Sequence, residues 1–383
     1  MADDDAWAEQ ALSALAGKAK PPGSLGMLEE WAVALCVAQK TLTPGASRAE
    51  ALIFVADHGA KKADAALSPF PPSVTESLFR GLASGKTAGA VLTRSVGAHL
   101  TVVDVGIDAD VADVEVVCSR PTAAARASCF RPSWLRCIPS NMVSAHTRTV
   151  LHCKVGWGSL DLRLGAAMTP EMLEAALAVG RRAVLDARAA RSVQVLAIGE
   201  AGIGNTTAAS ALLAALTGAE PSACCGRGTG LDDAGVAHKV ATVTAALQLH
   251  CRVATGVDTV PPMELLRRLG GLEIAAMAGA FLAAHECGCV ALIDGFISGV
   301  AALAAARIDP ACRRCLLFAD GSNEAGAPVL AAALGARPAL DMGLCLGEAT
   351  GALLAVPLVR AAAEMMCRME TLKEVFALQR PPA

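Results

Sequence analysis

Tyrosine is absent from the 383-residue sequence, and aromatic residues as a class make up only 3% of it. Proteins that bind single-stranded nucleic acids stack the bases on aromatic side chains and attract the backbone with a positively charged groove. Here acidic residues outnumber basic ones by 36 to 33, which gives a formal net charge of −3. The composition therefore disfavours a nucleic-acid partner, and we expect none.

A secretory signal and an uninterrupted apolar span are lacking as well. The N-terminal residues, MADDDAWAEQ, are acidic and have neither the basic region nor the apolar core of a signal peptide. The long apolar region 271–307 is interrupted by Glu273, His285, Glu286 and Asp294, so it predicts buried helix and strand instead of a membrane span. We therefore expect a cytoplasmic protein without a membrane partner.

The 14 cysteines lack the spacing of a metal site. CxxC occurs once, at Cys312 and Cys315, and no second pair stands at the distance found in zinc fingers. Because no secretory signal accompanies them, reduced thiols are the expected state, in preference to disulfides or a bound metal. We predict no metal site.

What the chain does contain is a repeated pattern of apolar strand, acidic residue, glycine and helix. Strands that alternate with helices indicate a parallel sheet with right-handed crossovers, which is an α/β fold. The acids would then line the edge of the sheet where such folds place their active sites. Because neighbouring carboxylates repel one another, their accumulation favours a functional role. These acids are Asp57, Asp104, Glu200, Asp294 and Asp320.

Residues 193–217 predict a strand, a glycine-rich turn and a helix in that order. An apolar run is followed by GEAGIGNTT and then by an Ala- and Leu-rich segment that favours a helix. Such a turn lets the backbone approach a ligand, and the following helix N-terminus offers free N–H groups to an anion. A tight connection without a ligand is the alternative, since the turn matches neither the Walker motif nor the dinucleotide fingerprint. The expected ligand contacts are Gly202, Gly204, Asn205 and Thr206.

A second glycine-rich loop, GRGTGLDDAG at 226–235, leads into a predicted helix that carries Lys239. The N–H donors of Gly228, Thr229 and Gly230, supported by a cation, suit a phosphate or another anion. A flexible surface loop is the alternative.

The sequence also predicts the secondary structure of two further segments. Residues 118–152 show neither strand nor helix periodicity, so we expect an insertion or a long loop there. Residues 262–285 predict one helix that has Gly270 and Gly271 inside it.

Taken together, these segments resemble the nicotinate-nucleotide:dimethylbenzimidazole phosphoribosyltransferase family. The similarity extends over most of the chain in the family's order, and it is weakest at 107–160 and 319–328. It is carried by KPPGSLG (20–26), ADHG (56–59), GEAGIGNTTAA (199–209), GRGTGLDDAG (226–235), GGLEIAAMAGAFL (270–282), DGFISGVAAL (294–303) and LGEATGA (346–352).

The resemblance implies a Rossmann-like parallel sheet flanked by helices, with a small helical domain built from both chain ends. We place that domain at 1–45 plus 350–383 and the α/β catalytic domain at 46–349, because both ends look helical while the centre alternates. The family's members are homodimers. Their substrates are nicotinate mononucleotide and dimethylbenzimidazole, and the reaction needs no metal or organic cofactor.

The resemblance also assigns roles to individual residues. Glu348 becomes the general base, and Glu200 becomes a second carboxylate that polarises or orients the substrates. The phosphate would rest on GIGNTT and GRGTG with help from Lys239. Further expected substrate contacts are Asp57, Phe70, Asp294, Asp320, Ser322, Leu346 and Gly347.

Several positions depart from the family pattern. Cys345 stands where Arg is usual, Ala349 where Gly is usual, and the loop 320–327 reads DGSNEAGA in place of SHRSAEPGH. These changes keep a second hypothesis open, a catalytically weakened relative that binds a nucleotide or a benzimidazole. A nucleotide-dependent oxidoreductase would need GxGxxG after the first strand, and 56–64 lacks it.

Overall fold

The computed structural model describes residues 2–114, 148–251 and 260–378. Its strands are β1 (Ala49–Ala56), β2 (His99–Gly106), β3 (Arg148–His152), β4 (Val195–Ala201), β5 (Val290–Asp294) and β6 (Leu316–Asp320). They form one parallel sheet in the order β3-β2-β1-β4-β5-β6. This is the strand order of the doubly wound Rossmann fold, so the predicted α/β fold is confirmed.

Helices cover the sheet in the part of the chain that the structure describes. They are α1 (Ala2–Ala16), α2 (Met27–Gln39), α3 (Gly59–Ala63), α4 (Ser73–Ser84), α5 (Ala88–Ser95), α6 (Pro170–Arg191), α7 (Asn205–Thr217), α8 (Pro221–Cys224), α9 (Asp233–His250), α10 (Pro262–Leu269), α11 (Leu272–Glu286), α12 (Gly295–Ile308), α13 (Ala327–Leu334), α14 (Thr350–Arg368) and α15 (Leu372–Ala377).

The sheet separates two apolar cores because side chains alternate along each strand. In β1, Leu52 and Phe54 point into a core shared with α6, α7, α11 and α12. Ile53 and Val55 point the other way, into a core shared with α2, α4, α5 and α14. Every residue of β1 is buried, as expected for the central strand of a parallel sheet covered on both faces.

The order of the strands also determines where a ligand can bind. The chain builds β1, β2 and β3 towards one side and then returns to place β4, β5 and β6 on the other. Connections from neighbouring strands β1 and β4 therefore diverge at the carboxyl end of the sheet, where doubly wound folds bind ligands. Glu200, Asp294 and Asp320 lie at that end of β4, β5 and β6.

The two ends of the chain pack together. Leu15 of α1 and Leu35 of α2 share a core with Val359 of α14. The Lys18 ammonium donates a hydrogen bond of 2.7 Å to the carbonyl of Met369. Because the same core continues into the sheet at Ile53, these contacts do not by themselves separate a helical domain from the α/β part. The division into two domains stays a prediction.

By length and composition, α14 is the one described helix that could cross a membrane. More than half of it, 56%, is buried inside the protein. Its buried residues contact both α2 and the sheet, so it packs as a core helix of this fold.

Two expectations from the sequence are wrong. Residues 148–152 form edge strand β3 and are not part of an insertion; the rest of that predicted segment, 118–147, lies outside the described residues. The helix expected at 262–285 is two helices, α10 and α11, separated by Gly270 and Gly271. Gly271 has no room for a side chain, because a Cβ there would overlap with the imidazole of His58.

The contact between α6 and α11 depends on glycine. A Cβ added to Gly180 would overlap with the main-chain oxygen of Ala276, so we predict that Gly180→Ala destabilises the protein. Overpacking of this kind lowers the free energy of unfolding by about 1–3 kcal/mol, measurable as a lower Tm. Gly165→Ala is the control, since in the described part of the chain no heavy atom lies within 4 Å of that Cβ. Equal melting temperatures for the two variants would contradict this account.

Candidate active site

A cavity of about 860 Å³ opens at the carboxyl ends of β4, β5 and β6. Loops that follow these strands form its walls, together with the start of α9 and the segment 344–348 that precedes α14. Its lining includes several acidic residues and two glycine-rich segments. The predicted site residues that line it are Glu200, Gly202, Asn205, Thr206, Gly228, Thr229, Gly230, Asp294, Asp320, Ser322, Leu346, Gly347 and Glu348.

Glu348 is buried at the cavity wall in an uncommon backbone conformation. Both Glu348 and Ala349 are left-handed, with φ of 62° and 57°. The N–H of Glu348 donates to the main-chain oxygen of Glu200 at 2.9 Å. Its carboxylate Oε2 accepts from the N–H of Gly89 at 2.9 Å, close to the N-terminus of α5. The side chain is therefore fixed from two distant segments of the chain.

Glu200 is buried beside it at the end of β4. Burial raises the pKa of Glu200 well above its usual value, and the charges of Glu273 and Asp294 raise it further. The side-chain amide of Asn205 donates to Oε2 and partly opposes this shift. Gly347 lets the backbone lie against the carboxyl group, since a Cβ there would overlap with Oε1. The site thus favours the protonated form of Glu200, which can donate a hydrogen bond.

Asp294 and Asp320 are paired across β5 and β6, after a shift of register between Ile293 and Asp294. Oδ1 of Asp294 accepts from the N–H groups of Gly351 at 2.7 Å and Ala352 at 3.1 Å, in the first turn of α14. Burial raises the pKa of Asp294 to about 7, and these N–H groups oppose the shift. Asp320 packs against Gly351, and its Oδ1 is buried without a hydrogen-bond partner among the described residues. Its pKa is also raised by burial.

The two glycine-rich segments meet at the buried ammonium group of Lys239. Nζ donates to Oγ1 of Thr206 at 2.9 Å and to the carbonyl of Gly226 at 3.1 Å. Burial lowers the pKa of Lys239, and the charge of Glu324 opposes that change. Gly228 and Gly230 have φ of 52° and 117°, values that favour glycine and turn this loop towards Thr206. The two predicted glycine-rich loops are thus brought together.

Four predicted site residues do not line the cavity of the described protein. Lys239 lies behind Thr206, as just described. Gly204, with φ of 98°, packs against the side chains of Lys61 and His58. Asp57 is buried and accepts from the N–H of Asp108 at 2.9 Å. Phe70 is 44% exposed on the surface.

Within the described residues, no group of three or more His, Cys, Asp or Glu side chains is placed to hold a metal ion. The buried acids are spread along the cavity, and their hydrogen-bond partners are N–H groups or an amide. The expectation of a reaction without metal or cofactor stays a prediction.

Comparisons of the whole chain with known proteins point to one family. A family model described as phosphoribosyltransferase matches residues 2–375. Relatives from Xanthomonas axonopodis pv. citri and Pseudomonas aeruginosa are named nicotinate-nucleotide–dimethylbenzimidazole phosphoribosyltransferase. They are 41% and 42% identical over 93% and 94% of this chain and 90% and 92% of their own lengths. The crystal structure of CobT from Thermus thermophilus is 34% identical, with a TM-score of 0.81, over 98% of this chain and 100% of its own.

This chain belongs to the nicotinate-nucleotide:dimethylbenzimidazole phosphoribosyltransferase family. The resemblance found in the sequence is therefore confirmed. The roles of individual residues are not tested by these similarities and stay predictions.

The departures from the family pattern can now be placed. Cys345 is exposed at the cavity, where its Sγ lies 3.6 Å from the side-chain amide of Asn323. Ala349 occupies the left-handed position before α14, which explains why glycine is usual there. The altered loop 320–327 lines the cavity through Asp320, Ser322, Asn323, Glu324 and Ala325.

Sequence reasoning missed several residues of the site. Glu273 forms a buried ion pair with His58 at 2.7 Å, and its charge acts on Glu200. Glu324 and Phe296 line the cavity. Glu273 and Phe296 do stand inside segments that carry the family resemblance, which was a usable signal. Glu324 lies in the weakest segment, where no such signal marks it.

The raised pKa of Asp294 predicts a dependence of stability on pH. Between about pH 4 and about pH 7 the folded protein holds this proton while the unfolded chain has lost it, so stability falls as pH rises. Asp294→Asn keeps the acceptor for α14 but does not titrate. We predict that its Tm rises relative to the unaltered protein across this interval and that the difference is constant above it.

The measurement is a series of thermal melts in buffers across that range. Asp309→Asn is the control for the substitution itself, because Asp309 is exposed and also accepts a main-chain N–H, from Ala311 at 2.9 Å. A difference between Asp294→Asn and the unaltered protein that stays the same at every pH would contradict the assignment.

Proposed function

We propose that the protein moves the phosphoribosyl group of nicotinate mononucleotide to 5,6-dimethylbenzimidazole. The products are α-ribazole 5'-phosphate and nicotinate. The observation that carries this proposal is one cavity lined both by the buried acids Glu348 and Glu200 and by glycine-rich segments supported by the ammonium group of Lys239. A base that must lose a proton and a nucleotide that carries a phosphate need these two groups of residues together.

Glu348 serves as the general base. A ring nitrogen of dimethylbenzimidazole attacks C1 of the ribose as the bond from C1 to the nicotinate nitrogen breaks, and the bonding electrons leave with nicotinate. The attacking base carries an N–H proton, which passes to the Glu348 carboxylate. The hydrogen bond from Gly89 holds this carboxylate in place.

Glu200 acts as a hydrogen-bond donor and orients the substrates. Its burial among other acids favours the protonated form, in which a carboxyl group can donate. Positive charge develops on the ribose while nicotinate leaves, and the carboxylate that Glu348 presents as the general base suits that charge. Holding two substrates in position for displacement could supply much of the rate.

The phosphate of the nucleotide lies at the anion site formed by Lys239, Thr206 and the 226–230 loop. The hydroxyl of Thr206 accepts from the ammonium group, so its own O–H is free to donate into the cavity. Main-chain N–H groups of the 226–230 loop and Ser322 are within the same cavity wall. This arrangement supports the predicted anion site.

We predict that Glu348→Gln lowers kcat by about 10²-fold or more, because glutamine keeps the size of the side chain but cannot accept the proton. Glu200→Gln is the contrasting variant: its amide still donates, so kcat should stay within about tenfold. The assay uses purified protein with both substrates and follows α-ribazole 5'-phosphate by chromatography. Unchanged turnover in Glu348→Gln would refute the role of that residue.

The same assay separates the transferase from the second hypothesis. A catalytically weakened relative would bind nicotinate mononucleotide or dimethylbenzimidazole without forming product. The intact Glu348 and Glu200 and the fixed geometry of both carboxyl groups support the enzyme.

A homodimer, the two-domain division at 1–45 plus 350–383 and a cytoplasmic location are also proposed, as the resemblance and the composition imply. Exposed apolar side chains near the C-terminus, including Phe376 at 60% and Leu378 at 78%, offer surface for a second subunit. Light scattering should give a mass of twice 38.8 kDa. A mass equal to one chain would contradict the dimer.

A further inference from the structure

The carboxylate of Glu324 contacts Gly226, the glycine whose carbonyl binds Lys239. A Cβ on Gly226 would overlap with Oε2 of Glu324, so this oxygen lies directly against the glycine. The carbonyl of the same glycine accepts the 3.1 Å hydrogen bond from Lys239. Oε2 is buried and has no hydrogen-bond partner among the described residues.

The main chain fixes Glu324 in this position. Its N–H donates to Oγ of Ser322 at 3.2 Å, and its carbonyl accepts from the N–H of Ala327 at 2.9 Å, where α13 begins. Both Ser322 and Glu324 line the cavity. The unpartnered oxygen therefore belongs to a residue of the cavity lining whose main chain is fixed by its own loop.

This end of the cavity offers donors and one acceptor to a ligand. The Lys239 ammonium donates to the hydroxyl of Thr206, a residue that lines the cavity. An ionised carboxylate can only accept hydrogen bonds. A buried acceptor without a donor is costly, so a ligand that donates to Glu324 and accepts from Thr206 would satisfy both.

We propose that this subsite binds the phosphate group of the nucleotide in its singly protonated form, with the P–OH donating to Oε2 of Glu324. The inference rests on the proposed function for the identity of the nucleotide, and it goes beyond that function by naming the protonation state and the residue that selects it. Glu324 is then a specificity-determining residue.

A fully ionised phosphate fits the subsite less well. It has no proton to donate, so Oε2 would stay without a partner. Its extra charge would also lie beside the carboxylate, and like charges a few ångströms apart repel each other. Both effects act in the same direction and favour the protonated form.

Other ionisable groups face Glu324 and must be separated from it. They are Lys239 on α9 and the thiol of Cys225, whose pKa is raised by burial. Glu324→Gln leaves both in place, so any titration of theirs persists in the variant. Only the difference between the variant and the unaltered protein is assigned to Glu324.

The first test compares two anions by isothermal titration calorimetry on the full chain. At alkaline pH, hydrogen phosphate and sulfate are both tetrahedral dianions, and only hydrogen phosphate carries a proton to donate. We expect phosphate to bind at least about tenfold more tightly, the gain from one hydrogen bond to a charged group. Equal affinity, tighter sulfate binding or no binding of either anion would overturn the proposal.

The second test uses ribose 5-phosphate, a phosphate monoester whose second pKa is about 6. Only its singly protonated form carries a P–OH, so affinity should fall as pH rises through that value, by as much as about tenfold per pH unit above it. In Glu324→Gln the amide can donate to the dianion, and both the pH dependence and the preference for phosphate over sulfate should disappear. A variant that keeps both properties would overturn the proposal.

Asp233→Asn is the charge-matched control. Asp233 lies at the rim of the same cavity, where it pairs with Arg227 and its side chain is 92% exposed. Removing its charge should leave the preference for phosphate over sulfate in place. If Asp233→Asn abolishes that preference as Glu324→Gln does, general electrostatics explain the effect and the proposal fails.

These binding measurements need no turnover, so the two proposals fail separately. Selective phosphate binding without product formation would remove the transferase function and keep the subsite. Product formation with equal affinity for phosphate and sulfate would keep the function and remove the subsite.

Discussion

Burial of carboxyl groups along one edge of the sheet is the constraint on which the rest of the structure depends. Taking a carboxylate out of water is costly unless hydrogen bonds or protonation compensate. The protein uses both: N–H groups at the start of α14 bind Asp294, the N–H of Gly89 binds Glu348, and burial raises the pKa of Glu200 well above its usual value. Gly347 and Gly351 let the backbone come close enough to cover these acids.

The glycine-rich loops around Lys239 meet the converse requirement, a buried cation. Lys239 contacts neutral oxygens, and the charge of Glu324 partly compensates its burial. The cavity is therefore lined by buried acids and by glycine-rich loops that rest on a buried ammonium group. Nicotinate mononucleotide has the matching polarity, since its pyridinium ring is positive and its phosphate is negative. Electrostatic complementarity of this kind orients a substrate as well as binding it.

The sequence predicted the sheet and much of the cavity because both depend on local patterns. Each apolar run followed by an acid, at Glu200, Asp294 and Asp320, is a strand that ends at the crevice. Strand β3 was not predicted because it is a short edge strand, with half-buried polar residues at both ends. Contacts such as Glu348 with Gly89, 259 residues apart, depend on the tertiary fold and leave no local signal.

The left-handed pair before α14 shows how a departure from the family pattern can leave the site intact. A residue with a Cβ is strained there by about 1–2 kcal/mol, which glycine avoids. Ala349 is fully buried, and its methyl group belongs to the core between α14 and the sheet. Burying one such group contributes about 0.8 kcal/mol, which recovers part of the strain. Alanine can therefore hold the conformation that turns Glu348 towards the cavity, at a modest net cost in stability.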